Sequence, residues 1–349
     1  MSDVTTFVRG LGGRGARTTQ GHFPLGATMS SLIRQFSQAL QCLTHSDKSS
    51  RASPQLEQAA QMKQQLDNQT AQLQTNPAAF LPGITARRLA DGTLLMAPTS
   101  RHAAADLAAA CLREDIRRVV DLRSAHEKSR GYGSVLDGHS CNVAGPRGVA
   151  HFGRVGKEGP LHAVGPHLPA PDSHVRRVEV TLSRNGTTLD RDGRAAPGQV
   201  QDLSLIRMPV GSEKAICASR LFDVSVHLAK AGQTQGGTTA FQCADGGHVA
   251  ATFAAASALL RRHLRGAVSP ARMDEAILNE CLRIRASRPD VFRTEDLASL
   301  RAFADQMLEA ERRGELQGLL HTKPLPATLA PAKPPRTVTR PVPQSPARS

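Results

Sequence analysis

Apolar positions along the chain switch between two periods, and the switches mark its elements. Spacing of three and four residues predicts helices over Ala103–Arg113, Ala215–Ala231, Val249–Leu264, Met273–Ala286 and Thr294–Arg312. Gly232 stands where the second of these should end, and Thr294 where an N-cap should open the last. Alternation or short apolar runs predict strands over Arg117–Arg123, Val175–Ser183, Val200–Met208 and Thr238–Gln242. Asn185-Gly186 and Asp192-Gly193 read as turns. Asn142–Ser173, rich in Gly, Pro and His, reads as a long loop. The middle of the chain is thus mixed α and β.

The flanks read differently. The first 30 residues are Gly-, Arg- and Thr-rich without periodicity and read as disordered. Over residues 31–84, Ser31–Leu43 carries a short helical pattern. Ser53 and Pro54 then offer a cap and a first helical residue for a Gln-rich helix, Gln55–Leu73. Its stripe of Leu56, Ala59, Leu66 and Leu73 is too thin to build a core, which predicts either a partner-binding helix or a solvated spacer. From Lys323 the chain has eight Pro and no acidic residue, a polyproline-like or disordered tail within 314–349. Its Pro343-Gln-Ser-Pro346 fits PxxP, as most Pro-rich tails do.

Charge narrows the picture less than it promises. The 349 residues carry a formal charge of +14, which invites nucleic acid or an anionic membrane as partner. Half of the excess lies in residues 1–84 and 314–349, where it reads as solubility. The chain has no Trp and one Tyr, so it lacks the stacking platforms of a single-strand binder, which argues against nucleic acid as partner. No stretch is apolar enough to span a membrane, and the start, MSDVTTFVRGLGGRG, lacks a secretory signal's apolar core. Six Cys without CxxC spacing argue against a zinc site or disulfide framework and for reduced thiols. No cofactor is implied.

One cysteine stands in a chemically suggestive place. Thr238–Gln242 runs into Cys243-Ala244-Asp245-Gly246-Gly247-His248-Val249, and a long Ala-rich helix follows. A strand, a tight Gly-containing loop and a helix N-terminus together line up backbone N–H groups and partial positive charge for an oxyanion. A Cys at the head of such a loop would have its thiolate stabilised and could attack phosphorus. The plain reading of the same segment is a buried structural Cys before a turn.

The order of the surrounding segments resembles the protein tyrosine phosphatases and, within them, the type III secreted effectors of Gram-negative pathogens. The resemblance covers roughly residues 85–312. Arg118-Val-Val-Asp-Leu-Arg123 looks like the early central strand, and Val178–Leu182, Asn185-Gly186 and Val200–Arg207 like the hairpin before the acid loop. Met208-Pro209-Val210-Gly-Ser-Glu213 stands where the family has Trp-Pro-Asp. Arg283 to Leu300 looks like the helix–loop–helix after the phosphate loop. The resemblance implies an α/β domain over 85–313, with a central mixed sheet flanked by helices. It also implies a secretion segment, a chaperone on residues 31–75, delivery into a host cytosol and host phosphotyrosine or other proteins as partners.

What the resemblance implies about chemistry is loss. Of the family's His-Cys-x5-Arg-Ser/Thr, Cys243 matches the nucleophile and Gly246 a loop glycine. Gln242 replaces the His, Val249 the Arg that grips the phosphoryl oxygens, and Ala250 the hydroxyl. Val210 replaces the acid-loop Asp, and the water-positioning Gln falls near Leu297. A valine offers neither donor nor charge. Asp245 adds a carboxylate whose repulsion of a dianion at ~4 Å is roughly 4 kcal/mol before relaxation. His248 would offset that repulsion only when protonated. The expectation is a dead or impaired phosphatase that acts by binding.

Two alternatives stand beside it. An active but atypical phosphatase would draw a cation from His248, Arg285, Arg288 or Arg293. A basic nucleic-acid or membrane-surface adaptor would use Arg261-Arg262-His263-Leu-Arg265, otherwise the cationic end of a buried helix. Asp121 and Arg123 read as a structural ion pair or as neighbours of the loop. Tyr132 reads as a loop tyrosine, with stacking or phosphorylation as the sharper options. His151, His162, His167 and His174 are too widely spaced for a convincing metal site.

Overall fold

The computed structural model describes residues 54–72, 80–138, 140–162, 169–210, 215–234 and 236–320. The pattern at Ser31–Leu43, the cap at Ser53, Glu213, His167 and the Pro-rich tail lie outside these residues.

Nine strands form one sheet: β1 (Ala86–Arg88), β2 (Leu94–Met96), β3 (Ile116–Asp121), β4 (Ser140–Gly145), β5 (Gly148–Gly159), β6 (His174–Arg184), β7 (Thr187–Thr188), β8 (Gln201–Arg207) and β9 (Thr238–Gln242). Their order is β1-β2-β9-β3-β8-β6-β5-β4, with β7 beside β6. The four central strands β2, β9, β3 and β8 are parallel. The outer pairs are antiparallel. The sheet is therefore mixed.

Strand alternation sorts the core into two layers. Leu94, Ala240, Val119 and Leu205 are register partners and face one side. There they meet α2 (Ala104–Arg113), whose Leu107, Ala108 and Cys111 are buried. Leu95, Phe241, Val120 and Ile206 form the adjacent row on the other face. They pack against α4 (Ala218–Thr234), α5 (His248–Leu264), α6 (Met273–Arg285) and α7 (Thr294–Arg312). Two short helices, α3 (Ala125–Ser129) and α8 (Gln317–Leu320), complete the described set. The expected central sheet with helices on both faces is what forms.

Four expectations are corrected. The Gln-rich helix, α1 (Pro54–Thr70), is no solvated spacer: Ala59, Met62 and Leu66 are buried in the same core as α6 and α7. Met62 widens the stripe, and polar anchors hold its edges. Gln58 Nε2 donates to Asp274 Oδ2 at 2.8 Å, and Arg285 Nη1 pairs with Asp67 Oδ1 at 2.6 Å. Asn142–Gly159, the first part of the expected loop, is instead most of the β4–β5 hairpin, registered on β6. Its outward alternation is polar, so composition hid the period. Helix α4 runs through Gly232 to Thr234. Arg293, not Thr294, is the cap of α7.

Candidate functional site

Strand β9 ends at Gln242, and Cys243 opens a five-residue loop closed by α5 at His248. The loop is fixed to the sheet on one side: the Cys243 N–H donates to Met96 O at 3.3 Å, at the end of β2. Gly246 has a φ of +65° and lies against the Met96 backbone, where a Cβ would stand 2.9 Å from a carbonyl carbon. Both conditions require glycine.

Asp245 folds back on this loop. Its Oδ1 accepts the Gly247 N–H at 2.8 Å and the Cys243 S–H at 3.3 Å. Gly247 permits the fold-back, because a Cβ there would meet the two carboxylate oxygens at 2.5 and 2.8 Å. A backbone donor that could face an anion thus already faces one, supplied by the chain.

The electrostatics follow. Cys243 is buried, and burial with the neighbouring Asp245 carboxylate pushes its thiol up to about 12. A hydrogen bond from the Ala250 N–H pulls the other way without reversing the outcome. The expected stabilised thiolate is therefore not present: at neutral pH the sulfur keeps its proton. Burial works against the Asp245 carboxylate. The Gly247 N–H, the Cys243 thiol and the Arg288 guanidinium together outweigh it and hold Asp245 below the usual carboxylate range.

Among the described residues, each candidate cation near the loop is already engaged. Arg288 Nη1 donates to the Asp245 and Gly246 carbonyls of the loop itself. Arg285 is turned to Asp67, Thr70 and the Val291 carbonyl. Arg293 pairs with Asp296 at 3.5 Å. His248 Nδ1 lies 3.3 Å from Asp296 Oδ1. Val249 and Ala250 are buried in the core, and so is Leu297. Ala244 is half-buried.

The acid-loop position is equally apolar. The Met208 N–H donates to Asp121 O and the Val210 N–H to Leu122 O, both at 3.0 Å, so the segment simply prolongs β8 beside β3. Val210 packs on the core. Asp121 and Arg123 do form a buried ion pair, with Nε to Oδ1 at 2.7 Å, extended by Asp137, Lys128 and Arg207. The network is also a neighbour of the loop, since the Leu122 N–H donates to Gln242 O at 2.9 Å. A cavity of about 460 Å³ beside it is lined by Ser100, Arg101, Lys128, Gly133, Ser134 and Asp137, and by no residue of the 243–249 loop. Buried Gln242 reaches Ser134 Oγ at 3.5 Å, while its own Oε1 has no hydrogen bond. Tyr132 is exposed.

The described histidines do not converge. His151 pairs with Asn142, His162 stacks on His227 at 4.7 Å, and His174 lies 3.7 Å from Glu158. Among the described residues no group of three His, Cys, Asp or Glu could hold a metal, and no helix is long and apolar enough to cross a membrane.

Asp296 is the residue that sequence reasoning missed. Its signal was its place at the third position of α7, where a carboxylate completes a cap. It is fully buried and accepts the Arg293 N–H at 2.8 Å. Burial opposes ionisation, but the His248 and Arg293 contacts hold its carboxyl below the usual value. A depressed carboxyl stabilises the fold above the unfolded pKa of about 4, and that stability is lost as pH falls through the folded value. Asp296→Asn is expected to cost about 1–3 kcal/mol at pH 7 and to flatten the loss of stability below about pH 4. Urea melts across that range would check both.

No family model matches the chain, and no curated protein matches it in sequence. Solved structures do match in shape. The protein tyrosine phosphatase TbPTP1 of Trypanosoma brucei superposes with a TM-score of 0.52 at 12% identity, over 79% of this chain and 98% of that one. PTPN18, described through its fingerprint on distinct HER2 tyrosine phosphorylation sites, gives 0.54 at 11% identity, over 71% and 94%. These two superpositions show that the chain has the protein tyrosine phosphatase fold.

Proposed function

We propose that this chain is a pseudophosphatase: a tyrosine-phosphatase-like domain that does not turn over phosphomonoesters and acts by binding host phosphotyrosine or other proteins. One observation carries the reading. Asp245 Oδ1 takes the Gly247 N–H and the Cys243 proton, at a loop where the family's arginine is replaced by buried Val249. In this reading Cys243 is the former nucleophile, Ala244–Val249 the former phosphate loop, and Val210 the former acid position.

The chemistry is consistent step by step. Attack on phosphorus needs a thiolate, and this thiol is held protonated. A bound dianion needs donors and cations, and the loop presents a carboxylate instead. Departure of a phenolate needs an acid, and Val210 has no proton to give. A second reading, an active atypical phosphatase, needs a cation at the loop's open side. Arg285, Arg293 and His248 have partners away from the loop, and Arg288 is engaged by the loop's own Asp245 and Gly246 carbonyls.

Target recognition on this reading uses the surface around the plugged loop. Delivery as a type III effector into a host cytosol, with a secretion chaperone on residues 31–75, completes the proposal. Its support is the sequence resemblance and the Gln-rich N-terminal region.

The full-length chain, assayed on para-nitrophenyl phosphate from pH 5 to 8, is expected to release phenolate no faster than its Cys243→Ser variant. Turnover that disappears with Cys243→Ser would overturn the proposal.

A further inference from the structure

The Arg261-Arg262-His263-Leu-Arg265 run is not an open basic face. His263 is buried and lies 3.0 Å from Glu311. The three arginines line a recess of about 480 Å³ together with Arg118 of β3 and Arg283 of α6. Helix α5 is 17 residues long, about 25 Å, and the three arginines of the run stand at its end away from the Cys243 loop.

Five guanidinium groups meet two carboxylates there, Asp91 and Glu280. Glu280 is saturated: it takes Arg262 Nη1 and Arg283 Nε, each at 2.7 Å. Asp91 is shared loosely, 3.2 Å from Arg283 Nη1 and 3.5 Å from Arg261 Nη2. The lining thus carries five arginines to two carboxylates, a formal surplus of positive charge among these residues. Arg283 Nη1 and Nη2 are buried without a hydrogen bond, and exposed Arg265 forms no ion pair among the described residues. Buried Arg118 is oriented by Thr239 Oγ1 at 2.9 Å and by Gly237 O. Crowding shows in the ionisation: burial and the neighbouring guanidinium groups pull Arg118 and Arg261 below the ordinary arginine value.

A helix end alone favours cations, but it does not account for arginines from β3 and α6 converging on the same cavity. Planar forked donors in a partly dry recess suit the oxygens of clustered phosphates. The volume exceeds what one phosphate group fills.

We propose that this recess is a binding site for a compact, soluble polyphosphate carrying two or more phosphoryl groups. The site is independent of the Cys243 loop and of the function proposed for it. Clustered phosphates also occur on phosphoinositide headgroups, so the experiment separates the two sources.

Titration calorimetry of the full-length chain with sodium tripolyphosphate in 0.15 M salt is expected to show one saturable site. Arg265→Gln and Arg261→Gln should each weaken it about tenfold. Arg312→Gln/Arg313→Gln, which removes charge from an exposed helix end, should leave it within about twofold. Arg265 is exposed, so its variant folds even if the Arg261 variant does not. Equal weakening in the Arg312/Arg313 control, or no saturable binding, would overturn the site. Vesicles bearing phosphatidylinositol bisphosphate that sediment the chain while tripolyphosphate fails to bind would overturn the soluble ligand.

Discussion

Replacing Asp245 with Ala is expected to speed alkylation of Cys243 by iodoacetamide at pH 8 by ten- to a hundredfold. With the thiol at about 12, only about one molecule in ten thousand carries the thiolate at that pH. Two causes hold it there, burial first and the carboxylate second. A charge pair near 4 Å amounts to about 4 kcal/mol at surface-like screening. Asp245 is exposed, so solvent removes a good part of that, and one to two powers of ten remain. The Ala250 N–H then acts on the sulfur unopposed. Asp245→Asn separates charge from shape, because the amide keeps an oxygen for Gly247 and loses the repulsion. Site-resolved mass spectrometry against Cys217, half-buried and bonded to Ser219, provides the internal standard. An unchanged Cys243 rate in both variants would show that Asp245 does not hold the proton.

Restoring the family arginine is expected to harm the fold rather than revive the chemistry. Val249 is 1% exposed and sits among the apolar residues of α5 and its neighbours. An unpaired guanidinium there is an uncompensated buried charge, which costs about 3–5 kcal/mol. For a domain of this size Val249→Arg should melt roughly 10 °C lower. Its hydrolysis of an aryl phosphate should remain at the level of Cys243→Ser, since Asp245 and Val210 are unchanged. Combining it with Asp245→Ala tests whether the plug alone blocks the site. A Val249→Arg variant that melts like the parent and hydrolyses substrate would mean that the position opens toward the loop.

Much of this fold was legible because its core strands and helices are strongly periodic. Ile116–Asp121 and Thr238–Gln242 are short apolar runs bounded by polar residues, and α5 is Ala-rich throughout. Strands β1, β2, β4 and β5 were not legible. The first two are three residues long, below the length at which period two can be seen, and the last two are half-exposed and rich in Gly. The candidate loop was visible as strand, Gly pair and helix. That Asp245 folds back on it was not, because the fold-back depends on Gly247 and on the Met96 backbone of β2, 150 residues earlier. Likewise the thin stripe of α1 looked unpartnered because its partners lie more than 200 residues away.

That distance sets the timing of synthesis. Helix α1 leaves the ribosome early, whereas α6 and α7, on which Ala59, Met62 and Leu66 are buried, emerge among the last described elements. At ~5–20 residues per second the interval between Thr70 and Thr294 is roughly 10–45 s. For that time the stripe has no native surface to cover it, and Asp67 waits for Arg285. The nascent chain therefore passes through a long-lived stage in which its first helix is exposed while the rest is still being made. Anything that seizes residues 54–70 has the whole of that interval to do so, and afterwards must compete with a completed core.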